Sequence, residues 1–260
     1  MNILDEIFAH KREEVAERQK VLPLARVRQE AEAAPAALDF VAALRGAARK
    51  PALIAEVKCA SPSRGLLAKD FDPILLARTY QENGASAISV LTDEKYFRGN
   101  LEYLRQIARF APRLPLLRKD FLCDPYQVYE ARAAGADAVL LITAYLDKAC
   151  LAELHALALS LGMTPLVEVH TRAELETALE CSPVLVGVNN RDLRDFSVRL
   201  ENTLDLRPYV PDGVCLVAES GIHAQEDARR LAAAGVDAIL VGEALVTAGD
   251  VAAKVRSFAQ

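Results

Sequence analysis

Hydrophobic positions change period along this chain, and the change marks two regions. From Ile3 to about Arg45 the pattern is helical: Ile3, Leu4, Ile7, Phe8 and Val15 recur at intervals of three and four, while Lys11, Arg12, Glu13 and Glu14 fall between them. That spacing predicts an amphipathic helix with one buried stripe. After Pro51 short apolar runs alternate with helical stretches. The runs are ALIAEV (52–57), SAISVL (86–91), LPLLRK (114–119), DAVLLIT (137–143), PLVEV (165–169), VLVGVN (184–189), VCLVAE (214–219) and DAILVG (237–242). Between them lie segments of helical length such as PILLARTYQENG, LAELHALALSLG and EDARRLAAAGVD, several closing in glycine, the preferred residue just past a helix end. One helix-to-strand junction appears in three near-copies, NGASAISV, AGADAVLL and AGVDAILV.

A strand-helix unit repeated eight times predicts an α/β fold: a single (β/α)8 TIM barrel with an N-terminal helical extension. The whole of 1–260 is read as one domain, with 1–48 as the extension packed on one end of the barrel. An open doubly wound sheet is the alternative, but no G-x-G-x-x-G follows the first run.

In such a barrel, chemistry gathers at the carboxyl ends of the strands. Glu56 and Lys58 end the first strand and, one residue apart, share a face. Lys119 ends the third, Glu168 sits between Val167 and Val169 in the fifth, the sixth runs into Asn189-Asn190-Arg191-Asp192, and Glu219 ends the seventh. A carboxylate flanked by valines is costly to bury without partners. Glu56, Lys58, Lys119, Glu168 and Glu219 are therefore read as a catalytic cluster rather than as structural pairs. Burial would raise the pKa of Glu168 and neighbouring lysines would lower it; the sequence leaves the winner open. Arg118 and Asp120 alternate with Lys119 and are assigned to structure. Glu13, Glu14, Arg229 and Arg230 read as solvated helix faces.

Ser220-Gly221 after the seventh strand and Gly242-Glu243 after the eighth occupy the loops that often hold phosphate through backbone N–H groups. Ala60-Ser61-Pro62-Ser63-Arg64-Gly65, after the first strand, carries two hydroxyls and a cation; it reads as an ordinary turn or, as its place on the active face favours, a mobile lid whose Ser61 and Lys58 meet an anionic substrate.

Composition narrows the partners. A net charge of −5 gives no chain-wide attraction for nucleic acid or anionic lipid, so an anion must be held by local groups. The N-terminus is charged from Asp5 onward and no apolar run reaches about 18 residues, which predicts neither signal peptide nor membrane span, hence a cytoplasmic protein. Five scattered cysteines and four dispersed histidines predict free thiols and no metal site.

Taken in order, Ile54-Ala-Glu-Val-Lys-Cys-Ala-Ser-Pro-Ser63, Leu91-Thr-Asp-Glu-Lys-Tyr-Phe97, Arg118-Lys-Asp-Phe121, Leu166-Val-Glu-Val169, Gly187-Val-Asn-Asn-Arg-Asp-Leu193, Ala218-Glu-Ser-Gly-Ile222 and Val241-Gly-Glu-Ala-Leu245 resemble the successive signatures of the indole-3-glycerol-phosphate synthase family. The helical extension is also a feature of that family. The resemblance implies a carboxy-lyase of tryptophan biosynthesis acting on 1-(2-carboxyphenylamino)-1-deoxyribulose 5-phosphate, a small anionic sugar phosphate, with no metal or organic cofactor. It implies Lys119 as general acid for ring closure, Glu168 as proton-transfer partner in the later loss of water, and Glu56 and Lys58 as essential neighbours. Asn189, Arg191 and Glu219 match positions on the anthranilate side, Ser61 an anion-contacting serine, and Phe97 and Phe121 apolar contacts to the aromatic ring. Glu243 departs from the pattern, since many relatives carry serine there. A backbone contact to phosphate would tolerate the change, whereas a side-chain contact would not. Rival readings are a sugar-phosphate isomerase, a Schiff-base aldolase using Lys119 or Lys58, and a non-catalytic phosphate-binding barrel.

Overall fold

The computed structural model describes residues 3–62, 64–68, 70–192 and 197–259. Eight strands, β1 (Ala52–Val57), β2 (Ala87–Leu91), β3 (Leu116–Lys119), β4 (Ala138–Ile142), β5 (Thr164–Val169), β6 (Leu185–Asn189), β7 (Cys215–Glu219) and β8 (Ala238–Val241), pair in parallel and in sequence. The last closes on the first through Ala52↔Ala238 to Ala55↔Val241, completing a (β/α)8 TIM barrel. Helices α1 (Ile3–Val21), α2 (Leu24–Ala33) and α3 (Phe40–Arg45) precede it; α4 (Pro73–Glu82), α5 (Leu101–Ile107), α6 (Pro125–Ala133), α7 (Lys148–Ser160), α8 (Arg172–Leu179), α9 (Glu201–Leu206), α10 (Gln225–Ala233), α11 (Glu243–Val246) and α12 (Val251–Ala259) follow.

The local chemistry of each unit explains its boundaries. Asp72, Asn100, Asp124, Asp147 and Thr171 each accept a first-turn N–H of the helix they precede, and Pro73 and Pro125 occupy first positions where no N–H is needed. At the three junction copies Gly84, Gly135 and Gly235 have φ of +99°, +93° and +79°, which turn the chain out of the helix without a Cβ clash. Within two copies the aspartate ties down the preceding strand: Asp137 accepts from Leu116 N–H at 2.8 Å and Asp237 from Leu216 N–H at 2.9 Å.

Alternation along the strands separates two cores. Leu53, Ala55, Val57, Val167, Val169, Val186 and Val188 pack outward against the helices. Ile54, Leu117, Leu140, Leu166, Val217 and Leu240 fill the barrel. The residue two steps beyond an inward one is again inward, which delivers Glu56, Lys119, Glu168 and Glu219 to the barrel's upper layer. The valines flanking Glu168 face the helix layer, and so its carboxylate faces the axis.

The extension does not sit on one end of the barrel. Its helix α1 covers the carboxyl end, placing Phe8 edge-on to Phe121 at 5.6 Å. Pro23 and the 34–39 stretch break what the sequence suggests as continuous helix, α2 runs beside α6, and α3 puts Phe40 and Leu44 under Ala52, Ala87 and Ala138 at the opposite mouth. Nor is Lys11 on the solvated side of α1: it is fully buried, at the same four-residue interval from Ile7 and Val15 that marks the stripe. Glu14 is also drawn in, bonding Lys11 at 3.2 Å and Arg18 at 2.8 Å.

Candidate active site

One cavity opens at the carboxyl ends of the strands, roofed by Ile3, Leu4 and Ile7 of α1. Glu56, Lys58, Ser61, Phe97, Lys119, Phe121, Glu168, Asn189, Arg191, Glu219, Ser220, Gly221, Gly242 and Glu243 all line it. The sequence-derived candidates, drawn from seven of the eight strand ends and the loops after them, therefore meet in one place. Ser63 and Leu193, which belong to the quoted motifs, lie outside the described residues.

Lys119 stands at the centre. Its Nζ is 3.2 Å from Glu168 Oε2 and 3.4 Å from Glu219 Oε2. Burial disfavours its charge, but the Glu168, Glu219 and Glu56 carboxylates outweigh that and hold its pKa above the usual lysine value. Lys119 is thus an acid that stays protonated at neutral pH. The question left open for Glu168 has its answer here: burial pushes the carboxyl up, yet Lys119, His170 and a hydrogen bond from Asn189 bring it below the ordinary range. Lys58 Nζ pairs with Glu56 Oε2 at 3.5 Å and lies 5.3 Å from the centroid of the Phe97 ring.

Glu219 behaves oppositely. Burial drives its pKa up to about 7, with Lys119 opposing and Glu168 and Glu56 reinforcing the rise. Among the described residues neither carboxylate oxygen has a donor besides the Lys119 ammonium. Its place is secured by a residue that sequence reasoning passed over. A Cβ on Gly187 of β6 would overlap the Glu219 carboxylate, and a Cβ on Gly242 would overlap that of Glu56. Two glycines of the upper layer thereby make room for two acids. The available signal was a glycine between two valines inside a strand, which marks a close approach.

Phe97 and Phe121 lie 5.9 Å apart with planes tilted by 37° and give the cavity an aromatic patch. Across the cavity, Ser220 and Gly221 both have positive φ, 66° and 75°, and the turn is braced by Asn190 Nδ2 donating to Ser220 O at 3.1 Å. In α11 the first closing bond is Leu245 N–H to Gly242 O, 3.0 Å, so the N–H groups of Glu243 and Ala244 precede any intrahelical partner. The Glu243 carboxylate reaches Arg64 Nε at 3.1 Å, and Ser61 Oγ accepts from Arg64 N–H at 3.2 Å.

Arg118 turns away from the cavity, as its alternation with Lys119 implied, whereas Asp120 also lines it. Arg118 is fully buried and bonds Asp120 at 3.0 Å and Glu130 at 2.8 Å. Among the described residues no cluster of three or more His, Cys, Asp or Glu could hold a metal ion, and no helix is long and apolar enough to cross a membrane.

Comparison with known proteins agrees with the geometry. A family model described as indole-3-glycerol phosphate synthase matches residues 4–258. A protein of that name from Polaromonas sp. (strain JS666) is 55% identical over 251 residues, covering 96% of this chain and 95% of its own. Another, from Roseiflexus sp. (strain RS-1), is 55% identical over 262 residues, covering 98% and 97%. Among solved structures, 3-hexulose-6-phosphate synthase from Salmonella typhimurium superposes with a TM-score of 0.65 at 15% identity, covering 80% of this chain and 96% of that one, a likeness of fold alone.

Proposed function

The chain belongs to the indole-3-glycerol phosphate synthase family and is a carboxy-lyase of tryptophan biosynthesis; from that footing we propose how its residues divide the work. The substrate is 1-(2-carboxyphenylamino)-1-deoxyribulose 5-phosphate. Its phosphate lies against the backbone N–H groups of the Ser220-Gly221 turn and of Gly242 and Glu243. Its aromatic ring lies on Phe97 and Phe121, with Asn189, Arg191 and Glu219 on the anthranilate side and Ser61 at the first loop.

Ring closure joins the aromatic carbon bearing the carboxylate to the ribulose C2 carbon, and the carbonyl oxygen needs a proton as the bond forms. Lys119 supplies it, because three carboxylates keep it charged. Loss of carbon dioxide restores aromaticity. Loss of the C2 hydroxyl as water then requires an acid at that oxygen, for which Lys58 paired with Glu56 is placed, and a base for the ring-nitrogen proton, for which Glu168 is ionised and at hand. Each such transfer contributes roughly 10²–10⁴-fold. The remainder comes from holding a flexible substrate bent so that its reacting carbons meet. The scheme calls on no cofactor, nucleic acid or membrane and suits a cytoplasmic enzyme acting on a free metabolite.

The observation that carries this reading is Lys119 held between Glu168 and Glu219 at the head of the barrel. Glu168→Gln tests it. The near-isosteric amide should leave a folded protein that binds substrate yet turns over at least about a hundredfold more slowly, the loss falling on kcat rather than KM. Indole fluorescence gives the rate and thermal melting the fold. A large fall in melting temperature with near-normal kcat in the folded fraction would make Glu168 structural.

A further inference from the structure

Glu168 has a second neighbour that the scheme does not use. His170, two residues beyond it, places Nε2 at 3.6 Å from Glu168 Oε1, the oxygen not engaged by Lys119. That nitrogen is buried and, among the described residues, has no hydrogen-bond partner. The other face of the ring is fixed: Nδ1 lies 3.3 Å from Glu174 Oε2, and the same oxygen accepts the His170 backbone N–H at 2.7 Å. The carbonyl of His170 accepts from Asn202 of α9 at 3.1 Å, which pins the backbone as well. The backbone part of this arrangement needs no imidazole, since any residue before Thr171 could donate its N–H to Glu174 at the start of α8. The ring itself is left to explain, and it bridges a carboxylate in the barrel to one in the first turn of a helix.

We propose that His170, oriented by Glu174, is the proton exit for Glu168, forming a carboxylate–imidazole–carboxylate relay from the cavity to the outer end of α8. This rests on the reading of Glu168 as the base that collects the ring-nitrogen proton. With its hydrogen on Nδ1 facing Glu174, the neutral ring presents a lone pair on Nε2 to Glu168. A shift of about 0.6 Å closes the 3.6 Å gap to hydrogen-bond length, and such contacts are often long before substrate binds. The protonated Glu168 gives its proton to Nε2. The imidazolium releases one from the Nδ1 side to water beside Glu174, whose side chain is 21% exposed. The exit leaves the Nε2–H tautomer; a solvent proton returning to Nδ1 sends the Nε2 proton back through Glu168 to Lys119, which has given up its own, so the ring is reset and no electrons change hands. Glu168 is 1% exposed, so the ring on its second oxygen is what leads from it toward the α8 side.

The charged groups facing the ring are Glu168 from β5, Glu174 from α8 and, at longer range, Glu219 from β7. All are acidic, and together with the Glu174 hydrogen bond they outweigh burial and raise the His170 pKa. His170 acts through Glu168 and is a positioning residue. Its removal should therefore change proton traffic rather than binding.

The test uses His170→Ala with added small bases. Expected are a loss in kcat of roughly tenfold with KM within about twofold, and a shift of the acidic limb of kcat/KM to higher pH, because a cation beside Glu168 is gone. Imidazole should restore part of kcat. Pyrazole, of the same shape but far weaker as a base, should not. Equal rescue by both would show a space-filling role and overturn the relay, as would wild-type kcat and pH profile without any addition. Glu174→Gln, which keeps the ring, should move the same limb in the same direction by less; an unmoved limb counts against the relay even if His170→Ala fails to fold. Glu168→Gln is measured alongside. If it turns over slowly while His170→Ala is unaffected, only the relay falls. If Glu168→Gln is itself wild-type, the base assignment falls and the relay with it.

Discussion

Two lysines are sunk among carboxylates at the same end of this barrel, and they are built for different ends. Lys11 of α1 is fully buried, 2.9 Å from Asp93, 2.9 Å from Asp120 and 3.2 Å from Glu14. Its acids are braced by other donors: Asp93 Oδ1 accepts the N–H groups of Tyr96 and Phe97 at 2.7 and 3.0 Å, leaving Lys11 beside Oδ2. Asp120 also takes Thr92 Oγ1 at 2.6 Å, Arg118 at 3.0 Å and its neighbour's N–H at 2.9 Å, and Lys11 and Arg118 overcome burial to hold its carboxyl far below the usual range. Lys119 is 15% exposed to the cavity; of its two close acids, Glu168 is ionised and Glu219 has, among the described residues, no donor besides the Lys119 ammonium at 3.4 Å. A completed buried network fixes one conformation, whereas one with unmet demand at a cavity wall is poised to be completed by something that enters. Number of charges does not separate the two clusters. Bracing and access do: backbone and hydroxyl donors hold Asp93 and Asp120, and of the two lysines Lys119 lines the cavity.

Exchanging the lysines' fates is the most direct way to break this contrast. Lys119→Ala should cost kcat roughly 10²–10⁴-fold, the contribution of a general acid. Its effect on melting should be mild, since Glu219 already titrates near 7 and can take up a proton in place of its partner. Lys11→Met should do the reverse. Breaking a buried pair leaves Asp93 and Asp120 uncompensated and should cost about 3–5 kcal/mol of stability, read by denaturant midpoint, with kcat of the folded fraction within a few-fold. If Lys11→Met abolishes turnover without unfolding, the two clusters are one machine and the contrast is wrong.

The same contrast explains what could be read from the sequence. The barrel was legible because eight apolar runs and three junction copies report on local structure, and strand alternation fixed which ionisable groups look inward. Lys11 was not, because a lysine on an amphipathic helix is ordinarily solvated, and only Asp93 and Asp120, about 80 and 110 residues away in sequence, reverse that expectation. The stripe Ile7, Lys11, Val15 held the hint. Gly187 went unnoticed for a related reason: its role is defined by the Glu219 side chain on the adjacent strand, through the register Asn189↔Glu219 and not by its own neighbours. His170 could have been approached through Thr171-x-x-Glu174, a helix-start signature placing an acid beside it.

Glu219 offers a finer cut, because its carboxyl is buried at a loss. Its folded pKa of about 7 lies above the ordinary 4.5, so the native state binds more protons than the unfolded chain between those values. Stability from this group is therefore present below about 4.5 and is lost as pH rises through about 7. Glu219→Gln removes the titration. Relative to wild type, the variant should gain on the order of 3 kcal/mol between pH 5 and pH 8, visible as melting curves that draw apart in favour of glutamine as pH rises. Curves that keep a constant separation would mean Lys119 fully compensates Glu219, making this cluster as complete as that of Lys11.

The smallest expected effect concerns the exposed pair that stands outside both clusters. Arg64, 65% exposed, meets Glu243 at 3.1 Å across the cavity rim, and a pair of that exposure contributes no more than about 1 kcal/mol to stability. Its value lies elsewhere. Glu243 heads α11 where the substrate phosphate is proposed to sit, and a free carboxylate there would repel it. Drawn toward Arg64, the carboxylate leaves the backbone N–H groups open and its charge offset. Arg64→Ala should thus leave the melting temperature nearly unchanged while raising KM several-fold at low ionic strength. The penalty should shrink as salt shortens the screening length to a few ångströms. Adding Glu243→Ser to Arg64→Ala should return KM to the wild-type value, since with no carboxylate there is nothing to offset, and the non-additivity of the pair measures the coupling. A KM indifferent to both substitutions at every salt concentration would place the phosphate away from Glu243, and the choice between backbone and side-chain contact at that residue would no longer arise.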